Sequence, residues 1–132
     1  MSDDLKALQA RAAERAAKRE AEAQAREVQA LTLEERFEKE LGPMGVAFAI
    51  VRTLQGPVVV KRGPAVLFKR LRDVPKGMPS LDDIEAFVKP NVVFPEAAVF
   101  NALIEDHAGI LVACSDELVS LYRAQALDTQ GK

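Results

Sequence analysis

Cysteine, histidine and aromatic residues are scarce in this chain, and each scarcity removes a class of function. Cys114 is the single cysteine among 132 residues. It cannot form an internal disulfide, whereas a small secreted domain usually carries several. His107 is the single histidine, so one chain cannot assemble the usual zinc ligand sets from Cys and His. No apolar run approaches the roughly 20 residues that a membrane span requires. The start, Met1-Ser2-Asp3-Asp4, has charges and no apolar run behind it, unlike a secretory signal. Gly42, Gly45, Gly56, Gly63 and Gly77 are scattered, and none opens a helix followed by Lys-Ser or Lys-Thr, the arrangement that cradles phosphate. The net charge of -2 lacks the basic excess that argues for nucleic acid. The expectation is a cytoplasmic, non-enzymatic protein with no cofactor and no membrane partner.

Apolar residues make up 48% and charged residues 29%, but they are unevenly placed. Between Asp3 and Ala30 there is no Gly, Pro or aromatic residue, and Ala, Glu, Arg, Lys and Gln dominate. These are strong helix formers. Ser2 is placed to cap, and Asp3 and Asp4 suit the positive end of the helix dipole. Glu14, Lys18, Glu22 and Arg26 follow one another at intervals of four, each pair worth about 0.2–0.5 kcal/mol on an exposed helix. Leu5, Leu8, Val28 and Leu31 are its large apolar residues, at the two ends, and the middle offers alanine. A heptad seam requires large residues repeated along the helix. The pattern reads either as a solvated helix or as an arm that becomes fixed on a partner or a second copy. Thr32-Leu33-Glu34-Glu35 has the form of a capping box. It predicts a second helical start running to about Leu41, ended by Gly42-Pro43.

The remainder is punctuated. Val46–Val51 and Pro57–Lys61 are β-branched runs separated by Leu54-Gln55-Gly56, a hairpin pattern. Because an isolated hairpin is marginal, it needs helices against a face or another strand at its edge. Pro64 suits the start of a helix to about Asp73, and Ser80 that of a helix carrying Leu81, Ile84, Phe87 and Val88. Pro95 opens another with Val99, Phe100, Leu103 and Ile104, and beyond His107-Ala108-Gly109 a last helix carries Leu111, Cys114, Leu118, Leu121 and Tyr122. The predicted fold class is α+β and mostly helical: a helical arm over residues 1–41, and a small α+β domain over 42–127 with one hairpin and a bundle of about four short helices. A disordered tail over 128–132 completes it.

The charged feature that stands out is basic: Lys61, Arg62, Lys69, Arg70, Arg72 and Lys76, opposed by Asp73. On one helix Lys69, Arg72 and Lys76 share a side, unless Pro75 ends it first. The stretch reads as a solvated face, or as a patch for an acidic partner or phosphate backbone. Phe68 lies beside it, but Val66, Leu67 and Leu71 around it point to core rather than base stacking. His107 next to Gly109 reads as a residue of a helix C-terminus, where the dipole favours positive charge. Cys114 in an apolar stripe reads as a small hydrophobe.

The order of these pieces is similar to that of another group of proteins. Gly56-Pro57-Val58-Val59-Val60-Lys61-Arg62-Gly63-Pro64 precedes a helix with Phe68-Lys69-Arg70. Then come Phe87-Val88, Val92-Val93-Phe94-Pro95, Ala98–Leu103, His107-Ala108-Gly109 and Glu117–Leu121. This layout, over about residues 45–125, resembles accessory proteins of tailed-bacteriophage tail modules, of the tail assembly chaperone type. In many of those the joint is Arg-Pro-Gly, where this chain has His107-Ala108-Gly109. The resemblance implies a factor that covers a tape-measure protein and helps recruit tube subunits, with no catalytic residues. Alternatives are a structural component retained in the virion, self-assembling through the arm, or a nucleic-acid-binding module using residues 61–76. An enzyme using His107 or Cys114 is the fourth.

Overall fold

The structure, a computed structural model, describes residues 2–130, with side chains for all of these except 76 and 125–130. Its elements are α1 (Ser2–Leu41), β1 (Phe48–Thr53), β2 (Gly56–Lys61), α2 (Ala65–Arg72), α3 (Leu81–Val88), β3 (Val92–Phe94), α4 (Ala97–Asp106) and α5 (Gly109–Gln130), with 3-10 turns at Pro75–Gly77 and Lys89–Asn91. The class is α+β and mostly helical, as expected.

One uninterrupted helix replaces the two expected in the first 41 residues. Thr32 does not cap a new start: its hydroxyl donates to the Val28 carbonyl at 2.9 Å, the i−4 bond of a mid-helix threonine. Nothing in the stretch breaks a helix, so the backbone runs through. At 1.5 Å per residue α1 is about 60 Å long, and it ends at Gly42, whose φ of 117° suits glycine alone.

The sheet is antiparallel with order β1-β2-β3. The hairpin pairs Phe48 with Lys61 through Thr53 with Gly56. A third strand, not expected from sequence, adds to β2 with Val59 opposite Phe94 and Val60 opposite Val92. β2 therefore sits in the centre, and its run Val58, Val59 and Val60 is wholly buried. A strand covered on both faces needs a continuous apolar run rather than an alternating one.

Each face of the sheet has its own core. Ala49, Val51, Val58 and Val60 pack with Phe87 and Val88 of α3, Phe100 and Ile104 of α4, and Leu111, Cys114, Leu118 and Leu121 of α5. Phe48, Ile50 and Val59 pack on the other side with Ala30, Leu33 and Phe37 of α1. Fully burying side chains of this size contributes roughly 1.5–3 kcal/mol each. The end of α1, from Ala30 onward, is thus part of the body, and the boundary between arm and body lies inside the helix rather than at residue 41. Leu5, Leu8, Val28 and Leu31, its most apolar-looking residues, are all at least half exposed.

Four helices follow the hairpin, as expected, but α5 is not short: it has 22 residues. Its backbone stays helical to Gln130, three residues into the segment expected to be a disordered tail. Residues 131 and 132 of that segment lie outside the described residues. Phe68, Phe87 and Tyr122 form an aromatic cluster, with Phe68 and Tyr122 stacked at 4.9 Å between centroids. The Tyr122 hydroxyl donates to the Pro64 carbonyl at 3.1 Å, tying α5 to the start of α2. Ser80 caps α3 with a reciprocal bond to Asp83. Among the described residues no single helix is long and apolar enough to cross a membrane; α4 and α5 together are apolar but meet at 119° and face the core.

Candidate protein-binding surfaces

Three surfaces stand out. The first is the free half of α1: every described residue from Ser2 to Ala25 is exposed. The helix then meets the hairpin. Arg52 of β1 donates from Nε and Nη2 to the two carboxylate oxygens of Glu27, at 2.9 and 3.1 Å. This fork geometry fixes orientation as well as charge. The hydrogen bond holds the Glu27 carboxyl below the usual carboxylate range and pushes the Arg52 guanidinium further up. The contact ties α1 to β1 beyond the anchor made by Ala30, Leu33 and Phe37.

The second surface is the basic stretch, which the fold splits into parts. Lys61 ends β2 and is half-buried, and Arg62 turns back to donate from Nη1 to the Val46 carbonyl at 3.2 Å. Lys69, Arg70 and Arg72 are all exposed on α2. They occupy its last turn, where cations complement the helix dipole. Arg72 is paired with Asp73 at 3.3 Å. Lys76 does not continue this face, because α2 stops at Arg72 and Pro75 begins a separate 3-10 turn; its side chain lies outside the described ones. Phe68 is committed to the aromatic cluster and offers no platform for base stacking. Beside Arg70 an apolar cleft of about 170 Å³ separates α2 from α3, lined by Leu67, Leu71, Val74, Ala86 and Phe87.

The third surface is the outer edge of β1. Arg62 N–H donates to the Ala47 carbonyl and Gly45 N–H to the Phe48 carbonyl. With the hairpin register, this sets the alternation: Ala49, Val51 and Thr53 turn their backbone groups to β2, while Phe48, Ile50 and Arg52 turn theirs away. Pro57, opposite Arg52, fits because it has no N–H to offer. The bridge of Met44 to Phe48 covers the beginning of the edge. Among the described residues no strand pairs with Ile50 and Arg52 on this side. An open groove of about 410 Å³ runs beside them, lined by Ile50, Val51, Arg52, Ala113, Asp116 and Glu117. Sequence reasoning found the hairpin but not this groove, because α5 is distant from β1 along the chain.

The two residues weighed for chemistry are apart in character. His107 is exposed at the end of α4, where its backbone N–H donates to the Leu103 carbonyl. Cys114 is wholly buried in the core, and burial, helped by the charge of Glu117, pushes its thiol up to about 12. It is therefore a neutral thiol, not a nucleophile. Among the described residues no cluster of three His, Cys, Asp or Glu side chains could hold a metal ion. No protein family, curated protein or solved structure matches this chain.

Proposed function

We propose that this chain is a non-enzymatic protein-binding factor of phage tail or virion assembly, of the tail assembly chaperone kind, acting in the host cytoplasm on a tape-measure or tube protein. The observation that carries the protein-binding reading is the projecting half of α1. Its residues from Ser2 to Ala25 are all exposed, whereas most helical stability in proteins comes from packing. A helix of this length held out from a folded body presents its whole circumference to a partner. The assembly context comes from the layout over residues 45–125 described above.

The test is co-purification of the tagged protein from its native host context at moderate salt. Recovery of a very long helical protein or a tube protein supports the reading. Recovery of the chain alone, or with copies of itself, overturns it and favours a structural component that self-assembles through the arm. A nucleic-acid role rests on Lys69, Arg70 and Arg72 of α2, and binding that falls steeply with salt is its signature.

A further inference from the structure

We infer that the outer edge of β1 is a strand-addition site for an extended, basic peptide segment of a partner protein. The inference rests on the protein-binding reading above and names the site and the chemistry of what it takes. The N–H and C=O groups of Ile50 and Arg52 point outward and find no strand among the described residues. An added strand pairs with such groups, and its alternate side chains read the flanking surfaces.

Charge selects the occupant. A partner side chain opposite Val51 lies on the α5 side of the sheet, beside Asp116 and Glu117, both exposed in the groove. On the α1 side the Arg52 guanidinium is already taken by Glu27, and Glu34 lies near enough to act on it electrostatically. Arg52 is the only cation among the groove-lining residues. Lysine or arginine at alternate positions of the added strand answers this rim. A second copy of the chain does not: two-fold pairing of β1 with β1 brings the acidic α5 rims of both copies to the same seam.

The test uses the full chain, ¹⁵N-labelled, with three peptides: a six-residue alternating Lys-Val sequence, its Glu-Val counterpart, and the Lys-Val sequence N-methylated on alternate residues. The Lys-Val peptide is expected to slow amide exchange at Ile50 and Arg52 while leaving Ala49 and Val51, already bonded to β2, unchanged. The N-methylated and Glu-Val peptides are expected to bind at least tenfold more weakly. In the double variant Asp116→Lys, Glu117→Lys, on the exposed face of α5, the preference is expected to reverse. Arg52→Pro and Arg52→Ala both lose the Glu27 pair; the proline variant, which also lacks the outward N–H, is expected to abolish protection at Ile50, whereas the alanine variant, which keeps that N–H, retains it. Peptide-induced changes confined to α1 or α2 overturn the inference. So does protection of Ile50 and Arg52 that rises with protein concentration alone, which assigns the edge to a second copy. A co-purified partner that leaves these two amides unprotected also overturns the edge site while the protein-binding reading stands.

Discussion

Replacing Phe37 by alanine tests the claim that the end of α1 belongs to the body while its beginning does not. Phe37 is 3% exposed and packs against Phe48 with ring centroids 6.2 Å apart. Phenylalanine-to-alanine changes in cores cost about 3–5 kcal/mol. The cluster here is a single layer between one helix and one sheet face, which can partly collapse, so a cost of about 3 kcal/mol, the low end of that range, is expected. Against a total of roughly 5–15 kcal/mol this is a large loss, and with a typical urea slope it moves the midpoint by about 1–3 M. Removing residues 2–20 deletes far more chain but no buried side chain, and is expected to change stability by less than about 0.5 kcal/mol. Urea unfolding should be followed by far-ultraviolet circular dichroism for the helices. Because the chain has no tryptophan and one tyrosine, Tyr122 fluorescence reports the opposite face of the sheet. The two transitions should coincide if the body unfolds as one unit. A loss below about 1 kcal/mol for Phe37→Ala, far under the usual core cost, or an equal loss for the truncation, would refute the division of α1 into anchored and free halves.

Four further outcomes are expected. Thr32→Ala should leave stability unchanged or raise it by up to about 0.5 kcal/mol, because alanine is the better mid-helix residue; Ser80→Ala should lower it by about 1 kcal/mol, because that serine is a true cap. Urea midpoints of both decide this. The Cys114 thiol is held up to about 12 in the folded chain, against about 8.5 for a free cysteine. Its contribution is therefore fully present below about pH 8.5 and lost as pH rises, at about 1.4 kcal/mol per pH unit until about 12; comparing midpoints from pH 8 to 10.5 with those of Cys114→Ala, which lacks this slope, isolates it. Gly63→Ala should cost about 1–3 kcal/mol, read as a lower melting temperature. A Cβ at Gly63 collides with the Asn91 side-chain oxygen, and Asn91 is wholly buried with its amide donating to the Phe87 carbonyl.

Much of this fold is local, and local features were legible. The break at Gly42, the Ser80 cap, the hairpin at Leu54-Gln55 and the joint before Gly109 depend on residues within a turn or two of one another. The capping-box reading of Thr32 failed for the same reason: a cap and a mid-helix threonine share a residue type, and only the preceding backbone decides which one forms. Which apolar residues of α1 are buried was equally hidden. Val28 and Leu31 face solvent while Ala30, Leu33 and Phe37 face the sheet, since the choice of stripe depends on where the sheet lies.

Composition, propensity and punctuation act over short distances, and they suffice for a helical, single-cysteine chain with a polar arm and an α+β body. Three features come from long-range packing. It added Val92–Phe94 to β2, it clamped the sheet between the end of α1 and the later helices, and it set Asp116 and Glu117 beside the open edge of β1. Each joins segments distant along the chain, and such contacts form only when burial of both sheet faces brings those segments together.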